Sequence, residues 1–148
     1  LIRSYAPVPP IRIAILDTGG TVDTQAFHRQ WDDTMPLHTA PAVSALSLLD
    51  EDLTEQRIGE AATRSALAHQ AVLPKPDFFQ LVRACRKMGA LGVNTAHSGT
   101  VCGVLFSSHT PFEEIKQYMA SLTARFPDYT LLNIVPLISG AMDIKKEE

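Results

Sequence analysis

The chain has 148 residues, long enough for one domain with its own core and short for two. Hydrophobic residues make up 45% and charged residues 20%, an ordinary globular balance. A net charge of −3 leaves no electrostatic footprint for nucleic acid or an anionic membrane, and no apolar run reaches the ~18 residues a membrane span needs.

In chain order, the opening Leu1 and the prolines Pro7, Pro9 and Pro10 read as a linker over 1–10, leading from a preceding domain that the chain lacks. No signal peptide opens it, so the default compartment is the cytoplasm. Ile11 to Leu16 is a β-branched and aliphatic run closed by Asp17-Thr18-Gly19-Gly20, a buried strand ending in a tight turn. Thr21 to Phe27 extends as a second short strand-like segment, and residues 29–41 form a loop broken by Pro36 and Pro41. From Ala42 to Gln70 the spacing is helical: Val43, Leu46, Leu49 and Leu53 form one stripe, and Ile58, Ala61, Ala62, Ser65 and Leu67 another. Asp50, Glu51 and Asp52 mark a break between two helices, with Thr54 as the N-cap of the second. Pro74 and Pro76 interrupt the pattern. Asp77 to Met88 then gives a helix with Phe78, Leu81, Val82 and Cys85 on one side, cations Arg83, Arg86 and Lys87 toward its C-terminus, and Gly89 as its stop.

Val101 to Phe106 is a second strong strand. Thr110-Pro111-Phe112-Glu113 has the wording of a capping box, starting a helix that turns Phe112, Ile115, Met119, Leu122 and Phe126 inward and stops at Pro127. Tyr129 to Ile138 is the last strand, with Pro136 marking an edge or an end, and Asp143 to Glu148 is a charged tail. Strands at both ends and in the middle, with helices between, give an α+β sandwich whose sheet is covered on one face by helices. Cys85 and Cys102 sit among apolar neighbours and read as small buried hydrophobes. The histidines (His28, His38, His69, His97 and His109) are scattered, with no metal-ligand spacing, so no metal site is expected in the chain.

The stretch from Gly89 to Gly103 (GALGVNTAHSGTVCG) holds four of the chain's eight glycines, and places Asn94, His97 and Ser98 where a core connection has no need of them. On local chemistry alone it is a tight connection whose glycines serve φ > 0 or dense packing. Its wording, a helix followed by GALGVN and AHSGTVCGVLF, resembles the third motif of the GHMP kinases, a glycine-rich loop of their C-terminal domain whose usual core is nearer TGAGGGG. The Ala96-His97-Ser98-Gly99 form resembles the threonine kinases of cobalamin biosynthesis in particular. Upstream, Leu16 to Arg29 (LDTGGTVDTQAFHR) resembles a strand and turn that those kinases carry early in their C-terminal half.

This resemblance implies a GHMP kinase C-terminal domain over 11–142, a ferredoxin-like sandwich. It implies ATP and Mg²⁺ as cofactors, and a small hydroxy amino acid, L-threonine, as acceptor. A phosphate loop in the missing N-terminal kinase domain would bind the nucleotide, while the third motif buttresses that loop and faces the acceptor. Asn94, Thr95, Ala96, His97, Ser98 and Gly99 are the substrate- and phosphate-side candidates, with Asp23 and His28 on the acceptor side. The catalytic residues themselves fall mostly outside the chain, which has no PxxxGLGSS-type motif, so the chain alone is expected to be inactive.

Three other readings stand beside this one. Asp17-Thr18-Gly19 spells the aspartic protease tripeptide, which needs a second aspartate sharing a proton. ILDTGGTV resembles the threonine motif of asparaginases, with Thr21 as nucleophile. A non-catalytic α+β ligand-binding module also fits the element pattern.

Overall fold

A computed structural model describes residues 7–31, 43–50, 52–96 and 99–138. Most of the expected linker, most of the proline-broken loop, Glu51, His97, Ser98 and the charged tail lie outside the described residues. The elements are β1 (Ile11–Asp17), α1 (Thr24–Trp31), α2 (Glu55–His69), α3 (Phe78–Lys87), β2 (Gly92–Thr95), β3 (Val101–Ser107), α4 (Phe112–Arg125) and β4 (Thr130–Pro136). No helix among the described residues is long and apolar enough to cross a membrane.

The strands form one sheet in the order β2-β3-β1-β4, and every neighbouring pair is antiparallel. With β1 and β3 central and helices in the two crossovers, this is the split β-α-β arrangement of ferredoxin-like folds. The pleat sorts side chains by face. Ala14, Leu16, Cys102, Val104, Phe106 and Val93 turn toward the helices, where Phe78, Leu81, Ile115, Met119 and Leu122 close the core. Ile13 and Ile15 share the opposite face with Gly103, Asn94 and Val135.

Helix α2 docks on β2 backbone to backbone. A Cβ on Gly59 would lie 2.2 Å from the Leu91 carbonyl oxygen, and one on Gly92 would lie 2.0 Å from that of Gly59. The buried Thr63 hydroxyl completes the seam, donating to the Gly59 carbonyl at 2.8 Å and accepting from the Val93 N–H at 3.0 Å. An edge-strand donor is thereby satisfied by a helix side chain.

Several local expectations change. Thr21 to Phe27 is not extended, because Asp23 caps a helix there. Its carboxylate accepts from the Ala26 N–H at 2.9 Å and its carbonyl from the Phe27 N–H at 2.8 Å. The expected loop from residue 29 is still helix through Trp31. Gly92 to Thr95, read as loop, is a strand. Residues 43–47 are helical as expected, but Val43 and Leu46 are exposed and Ala45 is the buried residue there, so these two positions of the stripe do not face the core. Helix α4 is capped by Pro111 without a side-chain bond, and Glu113 pairs with Lys116 at 2.9 Å instead of closing a capping box. Phe112 is 43% exposed beneath that lysine and does not turn inward. Thr54 caps α2 as expected, its hydroxyl accepting from the Arg57 N–H at 3.2 Å.

Both cysteines are buried and free. Burial pushes each thiol up to about 12, so the thiolate that alkylates is scarce at neutral pH. Iodoacetamide at pH 8 is expected to label neither residue in the folded chain and both after unfolding, read by intact mass.

Candidate functional site

Antiparallel pairing sets Asp17 opposite Val101, so the Asp17-Thr18-Gly19 turn and the β2–β3 loop meet at one end of the sheet. The two stretches that carried the family resemblance are therefore neighbours. Thr18 binds the loop twice, its N–H and its hydroxyl donating to the Thr100 carbonyl at 3.2 and 3.0 Å. A hydrogen bond from the Thr100 hydroxyl holds the Asp17 carboxyl below the usual carboxylate range, helped by the Gly19 N–H at 3.1 Å. Gly19 and Gly20 turn with φ of 70° and 80°, a backbone that other residues adopt only at a cost.

At its base the loop closes through the Ala96 N–H, which donates to the Val101 carbonyl at 2.9 Å. From below it is held by Lys75, which the sequence reading did not single out. Lys75 is 8% exposed, and its ammonium donates to the Gly99 carbonyl at 2.8 Å. The chain bends there between Pro74 and Pro76, and the Lys75 N–H donates to the Gln70 side chain at 2.8 Å, which ties the bend to the end of α2. Burial lowers the Lys75 pKa, opposed by Cys102 and Asp17. The one signal available in sequence was a lysine fixed between two prolines.

Asn94 is exposed on the open face of the sheet, its side chain lying over Gly103, where a Cβ would come within 2.4 Å of Asn94 Oδ1. Beside it runs a groove of about 260 Å³ lined by Ile13, Ile15, Asn94, Thr95, Val101 and Val135. Thr95, paired with Cys102, turns its hydroxyl to the other, helix-covered face, where it is buried and has no hydrogen-bond partner among the described residues. Thus Asn94, Thr95, Ala96 and Gly99 stand together at the sheet end. His97 and Ser98 lie outside the described residues, as does the side chain of His28. Asp23 spends its carboxylate on the N-terminus of α1.

The glycines of the motif serve different ends. Gly89 ends α3 with φ of 81°, Gly92 admits α2, and Gly103 makes room for Asn94. The packing and positive-φ roles expected from local chemistry are thus present in the motif.

The fold is shared with solved kinases of small molecules. A Streptococcus pneumoniae phosphomevalonate kinase in complex with phosphomevalonate and AMPPNP superposes with a TM-score of 0.64 at 15% identity, over 91% of this chain and 42% of that one. In sequence, residues 45–124 match the family described as GHMP kinases C terminal, and the chain belongs to that family. The L-threonine kinase of Salmonella typhimurium is 35% identical over 136 residues, and that of Citrobacter freundii 32% over 139. These alignments take in 87% and 86% of this chain but 45% and 46% of the relatives, so the chain spans about half the length of the curated relatives it matches.

Proposed function

We propose that the chain is the C-terminal half of an ATP-dependent kinase that phosphorylates a small hydroxyl acceptor, L-threonine, to L-threonine O-3-phosphate for cobalamin biosynthesis in the cytoplasm. One observation carries the reading: the Asp17-Thr18-Gly19 turn and the glycine-rich loop are hydrogen-bonded into a single unit at one end of the sheet. Similarity to two L-threonine kinases supports the choice of acceptor.

Phosphoryl transfer needs alignment and charge neutralisation more than covalent help from the protein. The pinned loop suits the first need. Backbone donors around Gly99 would meet phosphate or carboxylate oxygens, Asn94, Thr95, His97 and Ser98 would add polar contacts, and Asp23 and His28 would sit on the acceptor side. Magnesium would neutralise charge on the transferred phosphate. Among the described residues no three His, Cys, Asp or Glu side chains gather to hold a metal, and the Lys75 ammonium is turned to a carbonyl. These residues do not fit a magnesium triphosphate by themselves, and the reading assigns that cradle to an N-terminal domain.

The test is ³¹P NMR of the full-length protein with ATP and a panel of L-threonine, L-serine and L-homoserine. Phosphothreonine as the main product is expected. A full-length protein that phosphorylates none of the three overturns the reading. Residues 1–148 alone are expected to show weak or no ATP binding by calorimetry.

A further inference from the structure

Lys75 is 8% exposed; among the described residues its ammonium donates to the Gly99 carbonyl, with the charge of the Asp17 carboxylate acting on it as well. A charge-assisted hydrogen bond from an ammonium to a carbonyl fixes which way that peptide faces. A trans peptide is planar, with its C=O and N–H pointing in opposite directions. Since the Gly99 carbonyl points inward to Lys75, the N–H of Thr100 in the same peptide points away from it. That N–H donates to no group among the described residues, and the next carbonyl, that of Thr100, is itself held by Thr18. Gly99 leaves this peptide less restrained on one side, because a residue without Cβ crosses φ/ψ space at little cost, while turning it over also needs positive φ at the β-branched Thr100, which opposes the flip.

We infer that Lys75 is a positioning residue, whose buried ammonium locks the Gly99–Thr100 peptide so that the Thr100 N–H stays outward as a donor to an oxyanion. A flipped peptide would present a carbonyl oxygen to the same ligand and repel it. The inference rests on the kinase reading for the source of the oxyanion, a nucleotide phosphate or an acceptor carboxylate, but not for the lock itself.

The experiment compares full-length wild type with Lys75→Met, which keeps the length and loses the donor, and with Lys75→Arg. The Thr100 amide resonance is followed in each, alone and with inorganic phosphate or L-threonine added. The resonance is expected to move in K75M and to return toward wild type in K75R, and the shift produced by the added oxyanion in wild type to vanish in K75M. Phosphate as the active probe assigns the donor to the nucleotide side, and L-threonine to the acceptor side. In turnover, kcat/KM is expected to fall about tenfold or more in K75M, as for loss of one oriented oxyanion donor, with partial recovery in K75R. If K75M does not fold, Lys75→Gln, which shortens the reach to Gly99, takes its place. A Thr100 amide unmoved in K75M overturns the lock, and so does an unchanged kcat/KM. If wild type has no kinase activity, only the proposed function fails, and the amide measurements still decide the lock.

Discussion

Replacing Gly92 with alanine is expected to destabilise the fold by roughly 3 kcal/mol, the upper part of the range for overpacking a filled site. For a domain of this size that lowers the melting temperature by about 10 °C, read by circular dichroism or calorimetry. The new methyl would sit 2.0 Å from the Gly59 carbonyl oxygen and 2.6 Å from the Thr63 hydroxyl. Both belong to the helix–strand seam, and neither is the free end of a flexible side chain. Either α2 withdraws, exposing the Val93 N–H that Thr63 satisfies, or β2 shifts against β3. Gly59→Ala acts on the same contact from the other side, so the double variant should cost less than the sum of the two. A melting temperature for Gly92→Ala within 2–3 °C of wild type, less than about 1 kcal/mol, would show that the seam yields where its backbone geometry says it cannot.

The second large effect separates two phenylalanines that look alike in sequence. Phe106→Ala empties a fully buried position beside Tyr118, whose ring lies 6.2 Å away by centroid, and is expected to cost about 3–5 kcal/mol. Phe112→Ala removes a ring that is 43% exposed and sits under the Lys116 ammonium, and should cost no more than about 1 kcal/mol. Urea unfolding of both variants reads the difference directly. Equal losses would restore Phe112 to the core that its helical spacing implied.

The contrast shows how far local patterns carry. Phe112 falls on the stripe with Ile115, Met119 and Leu122, but it occupies the first helical position, where the chain is still entering from Pro111 and has not yet come over the sheet. Val43 and Leu46 mislead in the same way, since periodicity reports which residues share a face and not whether a partner covers it. The strands at Ile11 and Val101 were legible because short, mostly apolar runs rich in β-branched and aliphatic residues have few other places to go. β2 was not, because its four residues include Gly92 and Asn94, and its strand character comes from pairing with β3 and from Thr63, both remote in sequence. The Asp23 helix cap competed with an extended reading that Thr21 and Val22 favour, and a carboxylate bond to the Ala26 N–H decided it.

Of the candidate site, the loop was legible as glycines where a plain connection has little use for them, and as a resemblance in wording. Its attachment was not. That Thr18 would grip Thr100 follows from the register of β1 on β3, and that Lys75 would reach Gly99 follows from a bend stiffened by two prolines. Such facts belong to the assembled sheet and leave little trace in any short window of residues.

The Thr18–Thr100 clasp joins residues 82 apart in the chain. Closing a loop of that size is slow and entropically costly, and it gives nothing back until the central strands meet. The helices between them can form early from local contacts, but the clasp cannot, so any partly folded species with β1 still unpaired has helical content and no site. On the proposed function, ligand affinity is therefore a late event in folding, and regaining it should lag behind the recovery of helix signal.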